Sequence, residues 1–382
     1  MIKYQTPPLT QYIVSKAVKK KVPAQGTFEL TPCCNLSCKM CYVRLSKEEQ
    51  EKQGGLRSAA EWLRIAEEAR DQGLLFLLLT GGEPFIRKDL PELVKGLQKL
   101  GIVVSLNSNG TLINEKTVEW LKRTPPSRIN ITLYGFSNET YQQLSGIPDG
   151  FDRVMKALTL LKEAGIAVKL NCSVTPLNVQ DMPAIIRFAT ENEYPLQITT
   201  YMFPPLRRDE NQVGHNMRFN PEEAALHLVR AQKMQYGIES VERSLRQCEE
   251  MVDNIDEDCQ LELSKEGDKV LCTAGRGSFW ITWKGELSAC GMIPHQGNDV
   301  FETGFSEAWK KIVEETDAVR LPVICRDCSL KEACRPCMAM TLTETGKVDQ
   351  VPQYKCAMTK AMKKAYQTVL RTGKEENGNE TT

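Results

Sequence analysis

The sequence predicts an α/β fold with a parallel sheet, followed by a loop-rich C-terminal region. Between residues 27 and 201, short apolar runs alternate with segments of helical periodicity, which gives about six βα units. Repeated units of this kind predict parallel strands, either in an open doubly wound sheet or in an incomplete barrel. The composition, 41% apolar and 26% charged residues, is that of a globular chain with its own core.

The elements follow from local signals. Ser58 and Glu61 have the spacing of a capping box, and Trp62, Ile65 and Ala66 begin an apolar stripe that ends before Gly73. The other predicted helices cover residues 88–99, 114–122, 151–164 and 181–192. The predicted strands cover residues 27–30, 74–79, 102–106, 128–133, 166–174 and 196–201.

The remaining chain divides into four further parts. Residues 1–26 form an N-terminal extension, and residues 202–255 a partly helical connector. We expect a cysteine-rich domain over 256–372 and a disordered tail over 373–382.

Charge and hydropathy exclude several classes of partner. The formal net charge is zero, so we expect neither a nucleic acid nor an anionic membrane surface as a partner. No apolar run reaches the ~20 residues of a membrane span, and a signal-peptide pattern is missing, which favours the cytoplasm. The chain has 14 cysteines, of which four lie within 33–41 and five within 325–356. In the cytoplasm such clusters indicate metal rather than disulfides.

Cys34, Cys38 and Cys41 have the spacing C-x3-C-x2-C in the loop after the first predicted strand. Three thiolates can cap three irons of a [4Fe–4S] cubane and leave the fourth iron open to a small molecule. Cys33 is interpreted as a neighbour of this set. A zinc site is the alternative, but it needs a fourth ligand, and none of the three histidines is near in sequence.

This loop resembles the signature of the radical S-adenosylmethionine (SAM) superfamily. The resemblance implies a partial (β/α)6 TIM-like barrel, with SAM bound to the open iron. One electron, supplied by a reductant such as flavodoxin or ferredoxin, would cleave SAM to a 5′-deoxyadenosyl radical that abstracts hydrogen from the substrate. The residue before the third cysteine, often aromatic in the family, is Met40 here.

Gly81, Gly82, Glu83 and Pro84 follow the second predicted strand and match the family's Gly-Gly-Glu-Pro motif residue for residue. The resemblance implies that this motif binds the methionine amine of SAM. Two further asparagines are candidate cofactor ligands: Asn109 after the third strand and Asn171 on the fifth.

The C-terminal cysteines resemble the SPASM extension of the family, which holds two auxiliary [4Fe–4S] clusters. Carrying the pattern over assigns one cluster to Cys272, Cys290 and Cys337, and the other to Cys325, Cys328, Cys334 and Cys356. Cys259 or Cys248 would complete the first set, or one of its irons stays open. A zinc ribbon over 325–337 is the alternative.

These features predict a radical SAM maturase that oxidises a peptide, forming a crosslink, a thioether or a similar bond. Only about 30 residues precede the cysteine loop, so we expect a separate leader-binding protein, or a substrate that needs none. The alternatives are oxidation of a small metabolite, such as a tetrapyrrole side chain, and a non-catalytic iron–sulfur electron carrier. The catalytic acid or base is not apparent in the sequence.

Overall fold

The structure, a computed structural model, describes residues 8–252, 272–294, 299–326 and 328–378. Its elements, in chain order, are α1 (Pro8–Lys20), β1 (Gln25–Glu29), α2 (Lys47–Gln53), α3 (Ala59–Asp71), β2 (Phe76–Thr80), α4 (Leu90–Lys99), β3 (Val103–Ser108), α5 (Glu115–Arg123), β4 (Arg128–Thr132), α6 (Asn138–Ser145), α7 (Gly150–Glu163), β5 (Val168–Ser173), α8 (Met182–Glu191), β6 (Leu196–Thr199), α9 (Pro221–Tyr236), α10 (Ile238–Val252), β7 (Ser278–Ile281), β8 (Leu287–Ser288), α11 (Val300–Thr303), α12 (Phe305–Ala318), α13 (Val323–Arg326), α14 (Lys331–Cys334), α15 (Met338–Thr345) and α16 (Gln353–Gly378).

One sheet contains all of these strands, in the order β6-β5-β4-β3-β2-β1-β7-β8. Strands β1 to β6 are parallel, and each pairs with the next strand along the chain. A doubly wound sheet places later strands on both sides of the first, whereas here β2 to β6 all lie on one side of β1. The order is therefore that of a partial (β/α)6 barrel. This confirms the predicted α/β class and excludes the doubly wound alternative.

The βα units form where the sequence signals predict them. Ser58 Oγ accepts a hydrogen bond from the Glu61 amide, and Glu61 Oε2 accepts one from the Ser58 amide, so the capping box of α3 is complete. Trp62, on the apolar stripe of α3, is fully buried, and its ring lies 4.7 Å from that of Phe28 on β1. Burial of this stripe fixes α3 against the sheet.

The C-terminal region is more regular than the sequence suggested. Strand β7 extends the barrel sheet by pairing in parallel with the free edge of β1, and Phe279 and Ile281 on it are buried. Helix α16 packs against α9 and continues to Gly378, into the segment expected to be disordered. Residues 379–382 and Cys259 lie outside the described residues.

The connector is helical from Pro221, and Asn220 caps this helix, α9. None of the helices in the described ranges combines the length and the apolar character that crossing a membrane requires.

Candidate active site

A single cavity of about 720 Å³ opens at the carboxyl ends of the barrel strands. The side chains that line it come from the cysteine loop, from the turns after β2 and β3, and from the C-terminal region. Of the predicted site residues, the cavity is lined by Cys34, Cys38, Cys41, Gly81, Gly82 and Asn109. The fold therefore assembles at one place the motifs that the sequence separates.

Hydrogen bonds to α6 and one buried side chain hold the cysteine loop in place. The Ser37 and Lys39 amides donate to the carbonyl oxygens of Ser145 and Leu144 at the end of α6, at 2.8 and 3.1 Å. Leu36, between the first two cysteines, is buried. These contacts fix the loop while its three thiols remain on the cavity wall.

The three thiols lie close enough to affect one another's ionisation. Burial, with a smaller contribution from neighbouring thiols, raises the pKa of Cys34 to about 11 and that of Cys38 to about 12. A hydrogen bond from Tyr134 opposes the shift at Cys38. Without a cation nearby the thiols of Cys34 and Cys38 stay protonated, so a metal centre would have to displace their protons to bind them as thiolates.

Cys33 is not part of this set. Its Sγ lies 4.0 Å from Gln50 Oε1, and it does not line the cavity. Among the described residues, no three His, Cys, Asp or Glu side chains are arranged to hold a single metal ion. Thiolates are the donors that iron–sulfur clusters use, so the three thiols on the cavity wall suit a cluster of this kind.

The glycine motif is bonded directly to the start of the cysteine loop. The Gly82 amide donates to the Thr31 carbonyl at 2.6 Å, and the Glu83 amide donates to the Cys33 carbonyl at 2.9 Å. A Cβ atom on Gly82 would lie 2.2 Å from the Cys33 oxygen. The glycines are therefore required for the two loops to approach, in addition to any contact with a ligand.

Glu83 and Pro84 are buried and do not line the cavity. The Glu83 carboxylate accepts hydrogen bonds from the amides of Phe85 and Asn109 and from Ser108 Oγ. Burial raises its pKa to about 7. In this structure the carboxylate connects the turns after β2 and β3, and a contact with the SAM amine stays a prediction.

The two asparagines differ in their placement. Asn109 lines the cavity, and its Nδ2 lies 3.7 Å from Cys34 Sγ and donates to Asn35 Oδ1 at 3.0 Å. Asn171 does not line it, although it is in register with Thr132 and Gln197, which do. A role for Asn171 toward a ligand therefore also stays a prediction.

Seven C-terminal cysteines lie near one another in the structure, and their division between two clusters stays a prediction. One small cavity is lined by Cys325, Cys328, Cys334 and Cys356. Cys272, Cys290 and Cys337 are close enough for their thiols to interact: burial and then these neighbours raise the pKa of Cys290 to about 11. No disulfide joins the cysteines that the structure describes.

Cys248 lies apart from Cys272, Cys290 and Cys337, the set that it was a candidate to complete. It is on α10, where its charged neighbours are Lys363 and Glu249. Cys172 is buried in β5, as expected for a small apolar side chain.

A buried ion pair joins the barrel to the Cys290 loop. Arg207 donates to both oxygens of Glu29, at 2.9 and 3.0 Å, and to the Gly291 carbonyl at 2.7 Å. Trp280 Nε1 also donates to Glu29. The connector thereby holds the loop after Cys290 beside the end of β1.

The sequence analysis missed the part of the cavity lining that comes from the C-terminal region. It consists of Met292, Met340, Met358 and Lys355, all from the C-terminal region. Met292 and Met340 follow Cys290 and Cys337 by two and three residues. Closeness in sequence to these cysteines was the only sign that the two methionines belong to the site. It indicates this only when the positions of the cysteines in the fold are known.

Comparison with known proteins agrees with this site. Residues 28–189 match the family model described as Radical SAM superfamily. An AdoMet-dependent heme synthase from Methanosarcina barkeri is 25% identical over 334 residues, which cover 85% of this chain and 93% of that protein. PqqA peptide cyclase from Granulibacter bethesdensis is 32% identical over 161 residues, 42% of either chain.

A solved structure shows the same fold over most of the chain. Streptococcus suis SuiB bound to the precursor peptide SuiA superposes with a TM-score of 0.65 at 19% identity, covering 91% of this chain and 80% of SuiB. The chain therefore contains a radical SAM domain at residues 28–189 and is an enzyme. A domain of this family implies a [4Fe–4S] cluster and SAM as cofactors.

Proposed function

We propose that this enzyme oxidatively modifies a peptide, introducing a crosslink, a thioether or a similar bond. Cys34, Cys38 and Cys41 would hold the cluster that binds SAM. The two C-terminal cysteine groups would hold auxiliary [4Fe–4S] clusters. When bound, the clusters and SAM would supply the electron transfers and the hydrogen-abstracting radical that such an oxidation needs.

One observation carries the proposal. The same cavity is bounded by the three thiols of the cysteine loop and by methionines that follow Cys290 and Cys337. A substrate in this cavity would therefore lie close to both the proposed SAM site and the auxiliary group formed by Cys272, Cys290 and Cys337. Its volume, about 720 Å³, is within the range of sites that enclose a cofactor or a small ligand.

The residues of the chain have distinct tasks in this scheme. Gly81 and Gly82 would form the surface against the methionine part of SAM, and Asn109 would lie at its side. The methionine side chains would pack against the substrate and exclude water, because they are apolar and adapt to irregular shapes. A reductant such as flavodoxin or ferredoxin, a separate leader-binding protein and a cytoplasmic location belong to the same proposal.

Oxidation of a small metabolite is the second candidate. The heme synthase relative is matched over almost its whole length, whereas the peptide cyclase is matched over less than half. A tetrapyrrole side chain is therefore the alternative substrate to test. The non-catalytic carrier considered from the sequence is not supported, because the chain is an enzyme by its family.

The test is SAM cleavage by protein reconstituted anaerobically with iron and sulfide. With dithionite, wild-type protein should form 5′-deoxyadenosine, and Cys38→Ala should not. A short peptide encoded beside the gene should accelerate cleavage and lose hydrogen, as measured by mass spectrometry. If the tetrapyrrole iron-coproporphyrin III accelerates SAM cleavage and the peptide does not, the result would instead support oxidation of a small metabolite. Full activity of Cys38→Ala would overturn the proposal.

A further inference from the structure

Lys355 is the only charged side chain among the described residues that line the cavity. It is the third residue of α16 and lines the same cavity as the three thiols of the cysteine loop. The other lining residues from the C-terminal region are methionines, which offer the ammonium group no opposite charge. A charge in such a place needs a partner of opposite sign.

The described part of the protein gives Lys355 no carboxylate partner. Its Nζ lies 5.9 Å from the ring centroid of Tyr201, which also lines the cavity. Glu344, the acidic residue beside that tyrosine, is occupied. It accepts from Arg218 at 2.6 and 2.9 Å and from the Tyr201 hydroxyl at 2.6 Å.

Helix stability does not explain the position either. The first turn of α16 has no acidic residue, and a cation there is opposed by the positive end of the helix dipole. The backbone amides of that turn and the ammonium group thus both favour an anion on this wall. The thiols of Cys334 and Cys337 are also within electrostatic range of Lys355, and the test must separate the two roles.

We infer that Lys355 binds a carboxylate group of the substrate. The substrate is then an anionic molecule, either a peptide with an acidic residue near the reacting position or a small molecule with a carboxylate side chain. The inference rests on the proposed function, since it takes this cavity to be the substrate site. Lysine suits the task because its ammonium is a mobile point charge with three donors.

The test measures binding to reconstituted holoprotein in the presence of SAM, by isothermal titration calorimetry. One arm uses capped peptides that differ only in a Glu or a Gln. The other arm uses iron-coproporphyrin III and its carboxamide analogue. In at least one arm the carboxylate form should bind about tenfold more tightly than the amide, the effect of one charge-assisted hydrogen bond. The arm that shows this preference identifies the source of the carboxylate.

Substitutions complete the test. Lys355→Met should abolish the preference, Lys355→Arg should retain it, and Lys360→Met, at an exposed position on the same helix, should behave as wild type. A preference that persists in Lys355→Met, or that neither arm shows in wild-type protein, contradicts the inference. Loss of iron from Lys355→Met also contradicts it, because the lysine would then serve the cysteines. Wild-type protein that cleaves SAM but lacks the preference overturns only this inference and leaves the proposed function standing.

Discussion

Glu83 Oε2 accepts a hydrogen bond of 2.7 Å from the backbone amide of Asn109. The bond joins the turn after β2 to the turn after β3, and both turns reach the wall of the cavity. Asn109 in turn bonds to Asn35 in the cysteine loop. One buried carboxylate thus connects the three loops that form the proposed SAM site.

Replacing Glu83 with glutamine should loosen this connection. The carboxylate serves three donors, and the amide nitrogen of glutamine cannot accept, so at least one buried N–H loses its partner. We expect a loss of about 1–3 kcal/mol in the free energy of unfolding, together with weaker SAM binding. Denaturant titration of the reconstituted protein measures the first and calorimetry the second. Glu92→Gln, at an exposed position of α4, is the control and should change little.

Gly82→Ala should separate the glycine motif from the cysteine loop. The added methyl group would lie 2.2 Å from the Cys33 carbonyl oxygen, a backbone atom that cannot move without displacing the cysteines. We expect SAM affinity to fall by about tenfold or more, since overpacking commonly costs 1–3 kcal/mol. Gly55→Ala is the matched control, because its methyl group would meet no atom within 4 Å. Equal SAM affinity in the two variants would contradict the expectation.

The barrel and its strand-end motifs could be read from the sequence because their signals are local. An apolar run such as 74–79, or a cap such as Ser58, carries its information within a few residues. The pairing of β7 with β1 could not be read, since it joins segments about 250 residues apart and depends on burial of Phe279. Lys355 was missed for the same reason, because only tertiary packing brings it to the cavity that the cysteine loop lines.

The iron content of the protein should depend on each of the three cysteine groups. Wild-type protein should hold about twelve irons per chain after reconstitution, as three cubanes require. Cys38→Ala, Cys290→Ala and Cys334→Ala should each lose about four of them, because each removes a ligand from a different group. Cys172→Ala is the control, since this buried thiol belongs to none. If the protein instead contains zinc, and only Cys334→Ala loses it, residues 325–337 form the zinc ribbon.

Arg218 and Glu344 form a buried pair that fastens the connector to α15. The two side chains are 6% and 4% exposed, and the guanidinium also lies 3.6 Å from the ring centroid of Tyr354. Arg218→Met leaves the carboxylate buried without its cation, so we expect a loss of about 3–5 kcal/mol in the free energy of unfolding. Arg208→Met, at an exposed position nearby, should leave the denaturation midpoint almost unchanged. If both variants unfold at the same denaturant concentration, the pair does not stabilise the fold.

Lys169 should make stability depend on pH in the alkaline range. Burial, with a smaller contribution from Arg128, lowers the pKa of Lys169 to about 8 from its ordinary 10.5. Between these values the unfolded chain binds more protons than the folded one, so the free energy of unfolding rises with pH. Measured relative to Lys169→Met, wild-type stability should therefore increase from pH 8 to pH 10.5. Lys95→Met, on the exposed face of α4, serves as the control for general alkaline effects. If the difference in the free energy of unfolding between wild type and Lys169→Met stays constant over this range, the folded protein does not disfavour the charged form of Lys169.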